Sequence, residues 1–372
     1  MNLDISSIMQ QFQVEGQFLW AEPYGSGHLH DTFRVAMTLA ENKREPHLFY
    51  ILQKINHSAF GNPPQLMDNI VRITSHIRKK LEAVHISPDE LKRRVLTVVH
   101  SKEGQYFFKD GSGCYWRVYD FVPDTCSYDS ILEPEKLYQA AYKFGEFLEQ
   151  LNDLPHPPLH EAIAHFHDGL HRFDVFRKAV SDDVCHRVKE AKEDIDLVFE
   201  LGSYFDVIPG LVKRGEIPLR PTHCDTKVNN VLLDKKTGEG MCVIDLDTTM
   251  MGVSLYDFGD LARTSLSTMA EDEPDLSRVE VEIPRYKIIL DGFLAGAGSS
   301  LNKKEKEYLL FGAKLMTLLI GMRFLTDHLH GDTYFKIHRP AHNLDRSRRQ
   351  FKLLRSIIEK EDQLTEILDK QK

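Results

Sequence analysis

One short stretch of this chain gathers residue types that could do chemistry together. The run Thr222-His223-Cys224-Asp225-Thr226-Lys227-Val228-Asn229-Asn230 has the form H-x-D-x-x-x-x-N. Fifteen residues after Asn230, past a glycine-bearing turn, stands Asp245. Transfer of a phosphoryl group from a nucleotide needs an acceptor for the attacking hydroxyl's proton and oxygen ligands for Mg2+ on the phosphates. Asp225 would be that base, while Asn230 and Asp245 would hold the metal, with His223 bracing the loop. Asp and Asn also favour turns, so turn hydrogen bonds alone are the plainer account of the string. The context argues for chemistry: the loop runs into strand, turn and strand, and the second strand returns an aspartate toward the asparagine.

Two neighbouring aspartates need placing. Asp257-Phe258-Gly259 spells the metal-binding tripeptide of protein kinases, but a hairpin leaving Asn230 needs only about a dozen residues to bring back an aspartate, which suits Asp245. Asp257 is expected instead to cap the next helix or to brace the catalytic loop. Asp247 would point the same way as Asp245 if the strand continued, which makes it a second metal ligand or a substrate contact.

A second group lies near the amino terminus, where Gly25-Ser26-Gly27-His28 precedes a strand. Glycines let backbone approach phosphates closely, so Gly25, Ser26 and Gly27 would cover a nucleotide and His28 could reach its phosphates or the substrate. A hairpin turn with an exposed histidine is the plainer alternative.

The elements that must position these groups are legible in outline. Leu3, Ile5, Ile8, Met9 and Phe12 keep helical spacing, and Phe33, Val35 and Met37 alternate as in a strand. Leu48 to Ile55 follows after a short turn and so pairs antiparallel with it. Pro63 and Pro64 open a helix with Leu66, Ile70, Ile73, Ile77 and Leu81 on one face, and strands at 95–99, 105–108 and 114–121 close a small unit. From Pro123 the pattern turns helical: a helix from Glu133-Pro134 to Leu151, then the hairpin 231–233 and 241–246, then helical stretches at 285–293, 305–329 and 346–368. The reading is an α+β fold of two lobes, a small antiparallel-sheet lobe with one inserted helix (1–121) and a larger, mainly helical lobe (122–372).

Composition bounds the function. The 372 residues carry a net charge of -9 with both signs interspersed, which disfavours nucleic acid or an anionic membrane as partner. The longest apolar run, Leu315 to Met322, is too short to span a bilayer, and the amino terminus lacks a signal-peptide pattern. Five cysteines form no C-x-x-C pair, so a reducing cytoplasm is expected rather than a disulfide framework or a zinc site. No coiled-coil seam suggests a dimer, and a monomer is expected.

These strings resemble the aminoglycoside phosphotransferase and choline kinase group, with its bilobal protein-kinase-like fold, and within it the N-acetylhexosamine 1-kinases. The resemblance rests on Glu22 to His28, Tyr50 to Gln53, Trp116 to Tyr119, Ala164 to Asp168, Thr222 to Lys227, Ile244 to Thr248, Asp257 to Asp260, Gly321 to Leu325 and Gly331 to Phe335. The catalytic loop marks only the wider group; the 165–168 and 321–335 strings point to the sugar kinases. The resemblance implies transfer of the ATP γ-phosphate, with Mg2+, to the anomeric hydroxyl of GlcNAc or GalNAc. It also implies that His28, Asp247, Arg323 and Tyr334 line the sugar pocket. Adenine would be held by backbone around Tyr119, Phe121 and Val122.

The chain departs from the wider pattern in three places. Strand 48–55 ends Leu52-Gln53-Lys54, and the inserted helix has no glutamate before Glu82, so the strand-lysine and helix-glutamate pair of kinases is missing. His30 and Cys224 stand where Asn and a small or polar residue are usual. Cys224, beside Asp225, would make the enzyme sensitive to thiol reagents. Two alternatives follow: a kinase of the same family acting on another sugar, an aminoglycoside or an amino alcohol, and a nucleotide-binding pseudokinase, against which Asp225, Asn230 and Asp245 together weigh.

Overall fold

The computed structural model describes residues 4–25, 30–39 and 45–371. Two compact units emerge, each assembled from separate stretches of chain. The first comprises Met1–Thr125, Leu154–Ile163 and Met241–Thr249, and the second Cys126–Asp153, Ala164–Gly240 and Met250–Lys372.

The first unit is built on an antiparallel sheet of β1 (Gln17–Pro23), β2 (Asp31–Thr38), β3 (Leu48–Ile55), β4 (Val98–Val99), β5 (Phe108–Lys109) and β6 (Tyr115–Asp120), in the order β1-β2-β3-β6-β4 with β5 also on β6. Side chains alternate across a strand, so register decides what each face carries. One face presents Val35, Met37, Tyr50, Leu52, Trp116 and Val118, which form a core with Ile8, Met9 and Phe12 at helix α1 (Ile5–Met9). The other face carries a polar row, because Thr32 is opposite Gln53 and Gln53 is opposite Arg117. Helix α2 (Pro63–Ala83) starts with Asn62 accepting from the Gln65 N–H and with proline in its first turn, and it buries Leu66, Ile70, Ile73, Ile77 and Leu81. A short helix α3 (Pro88–Arg94) follows, capped by Ser87. Neither β1 nor α3 stands out in the sequence pattern: β1 is half-buried along most of its length and lacks a clean alternation, and α3 buries Leu91 alone.

The second unit is helical: α4 (Pro134–Leu151), α5 (Gly169–Asp182), α6 (Lys192–Glu200), α7 (Tyr204–Lys213), α8 (Ser254–Ser265), α9 (Ile283–Ala297), α10 (Lys303–Glu307), α11 (Leu309–Leu329), α12 (His342–Glu359) and α13 (Glu361–Asp369). Helices α4 and α9 pack backbone to backbone, since a Cβ at Gly296 would collide with the Tyr142 carbonyl. By length and composition α11 could cross a membrane, yet only Phe311 and Thr326 of its residues are not buried, so it serves as the core helix of this unit. The stretch read as one helix over 305–329 is two, with a break at Tyr308, and 346–368 likewise divides at Lys360. The strand Arg220–Thr222 pairs antiparallel with Met250–Gly252, and this ribbon delivers the chain to His223.

The returning strand is shorter than its apolar run. It covers Gly240–Val243, and Asp245 has φ +59°, after which Leu246–Thr248 form a 3-10 turn. The strand parity that would aim Asp247 like Asp245 therefore does not apply.

Candidate active site

In the second unit the H-x-D-x-x-x-x-N loop is held from behind. The Asp257 carboxylate accepts the backbone N–H of His223 at 2.9 Å and of Cys224 at 2.8 Å, and its carbonyl accepts the Thr226 hydroxyl at 2.5 Å. Those contacts secure a residue in the left-handed region, Cys224, at φ +63°. Asp257 is thus a loop brace, and α8 has no side-chain N-cap. The buried His223 ring stands edge-on to Phe144 and Phe147, both at 5.6 Å, and its Nδ1 accepts the Asp225 N–H at 3.2 Å.

The Asp225 side chain is clamped on both oxygens. Lys227 Nζ lies 3.1 Å from Oδ1, and Asn230 Nδ2 donates to Oδ2 at 3.1 Å and to the Asp225 carbonyl at 2.8 Å. Donation through Nδ2 leaves the Asn230 carboxamide oxygen without a hydrogen bond among the described residues. This is the donor a hard divalent cation takes. Lys227 was not singled out from sequence, although its place two residues after Asp225 was a usable signal. The carboxylate raises the pKa of this lysine, so Lys227 stays charged beside the base.

Further into the same unit lies a cation without an anion. Arg323 on α11 is buried, with its guanidinium 5.0 Å from the Phe166 ring, 5.6 Å from Phe335 and 5.8 Å from Tyr334. Among the described residues no carboxylate pairs with it. Burial, with Arg172 and Arg263 nearby, brings its pKa down to about 10, against the pull of Tyr334. Tyr334 is 62% exposed, on a loop whose backbone N–H groups at 333, 334 and 335 all donate to Asp327 of α11. His167 is buried beside them, edge-on to Tyr256 at 5.3 Å. Burial holds it neutral, and its Nδ1 has no hydrogen-bond partner among the described residues. Arg263 acts electrostatically on both Lys227 and Arg323, which sets the Asp225 loop and this cluster in one neighbourhood.

The first unit holds Asp245 and Asp247. Asp247 is 1% exposed and grips Arg117 through both oxygens, at 2.7 and 2.6 Å. Arg117 Nε in turn donates to Gln53 at 2.9 Å, and Gln53 to Thr32 at 3.0 Å. The His30 ring stacks on Phe60, accepts the Asn56 N–H at Nδ1 and places Nε2 3.3 Å from Asp247. Burial alone would raise the Asp247 carboxyl, but the Arg117 charge, with His30, holds it well below the usual carboxylate range.

Of the nucleotide-loop residues, Gly25 is seen, at φ +83° with open space where a side chain would project; Ser26, Gly27 and His28 lie outside the described residues. Tyr119 is in the sheet opposite Ile51 and Val98, and the Phe121 N–H donates to the Phe49 carbonyl at 3.2 Å. The expectation for Cys224 fails on geometry. It is buried against the Thr222 hydroxyl at 3.1 Å, and burial, reinforced by Asp257, pushes its thiol pKa far up, so the reactive thiolate is absent.

Comparison with known proteins agrees with this architecture. An aminoglycoside phosphotransferase from Alicyclobacillus acidocaldarius superposes with a TM-score of 0.63 at 12% identity, over 98% of this chain and 97% of that one. A choline kinase from Cryptosporidium parvum gives 0.56 at 13%, over 98% of both. An amicoumacin kinase solved with AMP-PNP and Ca2+ gives 0.54 at 12%, over 89% and 87%. At such identities the likeness establishes the kinase-like fold. The profile of the phosphotransferase enzyme family, APH, matches residues 20–282, well over half of the chain, and with the fold it makes this protein a member of that family of small-molecule phosphotransferases.

Proposed function

We propose that the protein is an ATP- and Mg2+-dependent kinase that phosphorylates the anomeric hydroxyl of N-acetylhexosamines, GlcNAc or GalNAc, as a soluble cytoplasmic monomer. The clamped Asp225 carries the phosphoryl-transfer reading. Lys227 and Asn230 fix its carboxylate so that one oxygen can orient the sugar hydroxyl and take its proton. The sugar oxygen then bonds to the γ-phosphorus as the bond to the bridging oxygen breaks, and ADP departs. Asn230 and Asp245 would be the oxygen ligands of Mg2+, which when bound would offset the charge on the β- and γ-phosphates. Asn230 would serve through its carboxamide oxygen, which makes no hydrogen bond among the described residues, and Asp245 through its carboxylate. Gly25, Ser26 and Gly27 would cover the phosphates. Backbone groups around Tyr119 to Val122 would hold adenine, and of these the Phe121 N–H is already taken by the Phe49 carbonyl.

The buried Arg323, with no carboxylate against it among the described residues, carries the choice of acceptor. A guanidinium with Arg172 beside it disfavours cationic acceptors such as choline, ethanolamine or an aminoglycoside. It favours a neutral ligand rich in acceptor oxygens, and a sugar with an acetamido carbonyl is one. Tyr334 offers a ring face and a hydroxyl at the exposed side. His28 remains a candidate sugar contact, whereas Asp247, buried with both oxygens on Arg117, is committed to that pair instead, and no nucleic acid or membrane takes part.

The test is ADP release from ATP and Mg2+ with GlcNAc, GalNAc, glucose, galactose, kanamycin and choline offered in turn. Stimulation by the two N-acetylated sugars alone, with phosphate found on carbon 1, is expected. Preference for choline or kanamycin would overturn the acceptor reading while leaving Asp225 in place, and nucleotide binding with silence toward every acceptor would favour the pseudokinase.

A further inference from the structure

The turn that carries Asp245 is held within the first unit at Asp247 and at Thr249. Asp247, two residues on, is held by the fork of Arg117 from β6. Thr249, two residues further, has its carbonyl 3.4 Å from Asn69 Nδ2 on α2, and the same amide side chain bonds both the carbonyl and the N–H of His160 at 2.8 Å. Between these ties and the end of strand 240–243, Asp245 keeps a left-handed backbone at φ +59°, a conformation that persists in a non-glycine residue only where its surroundings over-determine it.

The Arg117 side of this arrangement is itself rigid. Its guanidinium is buried, stands 5.3 Å from the Tyr119 ring, and has Gln53 on Nε. A buried ion pair is a poor device for stability alone, because both charges lose their hydration. What a bidentate fork supplies is orientation, and a lysine point charge would not supply it. Protein kinases set their nucleotide lobe with a strand lysine paired to a helix glutamate. Here Gln53 stands in the strand, Asn69 in the helix, and the charge pair runs from the next strand to the turn of Asp245.

We infer that Arg117 is a positioning residue for the metal-binding aspartate: by fixing Asp247 it sets where the Asp245 carboxylate stands, and so how tightly the nucleotide's cation is held. The inference rests on the assignment of Asp245 as a metal ligand and is independent of which acceptor is phosphorylated.

The test separates cation from nucleotide and needs no turnover. ADP binding is measured by calorimetry with and without Mg2+, and Mn2+ binding to the ADP complex by electron paramagnetic resonance, for the wild type, Arg117→Lys and Gln53→Leu. Arg117→Lys should lower Mn2+ affinity about tenfold or more, as loss of an outer-shell partner does, while metal-free ADP affinity stays within about twofold. Gln53→Leu, which removes only the support on Nε and leaves the ion pair, should produce a smaller loss of the same kind. Equal losses with and without metal would mean that Arg117 meets the phosphates itself and would overturn the inference. So would unchanged Mn2+ affinity in a variant that merely melts earlier. Wild-type protein whose ADP affinity ignores Mg2+ would instead remove the metal role of Asp245, a failure visible before any substitution is made.

Discussion

Asp247 and Asp257 are both 1% exposed, and each steadies a stretch of chain carrying another aspartate, yet they hold protons with opposite strength. Asp257 faces two backbone N–H groups and His223; burial outweighs them and pushes its pKa up to about 6. Asp247 faces the full charge of Arg117 on both oxygens and stays ionised far below the usual range. Burial is the same, so the partner decides. A carboxylate that must hold backbone can do so with neutral donors, whereas one that must hold a side chain in a fixed direction has a cationic fork against it.

The largest effect should come from the residue that is braced rather than from either brace. Asp225→Asn can accept from only one of Lys227 and Asn230 and removes the proton acceptor, so turnover should fall by about 10²- to 10⁴-fold with nucleotide affinity retained. Asp257→Asn should cost far less, since it can still accept one N–H through its amide oxygen. A brace variant as dead as Asp225→Asn, in single-turnover phosphoryl transfer, would merge the two roles.

Stability should rank the two braces. Asp247→Ala leaves Arg117 buried and unpaired, a loss of about 3–5 kcal/mol. Asp257→Ala strands two neutral N–H groups at about 1–3 kcal/mol each, part of which a water entering the vacated space would recover. Urea midpoints at pH 7 should therefore place Asp247→Ala lowest, and the reverse order would break the comparison.

Proton affinity gives a third handle. Because the Asp257 pKa is raised to about 6 from 3.8, the folded state binds its proton more tightly than the unfolded chain. That contribution is full below about pH 4, declines as pH rises to about 6, and is absent above; the difference amounts to about 3 kcal/mol. Asp257→Asn cannot titrate, so its stability relative to wild type should improve by roughly that amount between pH 4 and pH 7. Parallel curves for the two proteins would show that the backbone donors outweigh burial after all.

How much of this was legible in the sequence follows from distance along the chain. Asp225 and Asn230 are five residues apart in one loop, so local spacing exposed them, and the rejection of Asp257 as a metal ligand needed only the length of a hairpin. Arg117 and Asp247 are 130 residues apart, joined by strand register and a 3-10 turn that no periodicity announces. The apolar run to Leu246 suggested a continuing strand; the left-handed Asp245 ends it, and the aim of Asp247 changes with it. In the helical unit α4 showed a clear start at Pro134, whereas α5 buries only Phe176 and Ala179 and leaves too faint an apolar face to read.

The smallest expected effect belongs to Cys224, and it tests whether the catalytic loop is as fixed as its brace implies. The residue neighbours the base in sequence, which suggested reactivity; in the fold its sulfur is buried beside Thr222, and Asp257 adds negative charge nearby. A thiol attacks as its thiolate, and both burial and that charge oppose ionisation. Iodoacetamide at neutral pH should leave turnover unchanged while modifying the partly exposed Cys114, Cys126 and Cys185, as peptide mass mapping would show. Rapid labelling of Cys224 in the native enzyme would mean that the loop opens away from Asp257 on the timescale of the reaction. Labelling that appears only in Asp257→Ala would identify the brace as what keeps the loop closed.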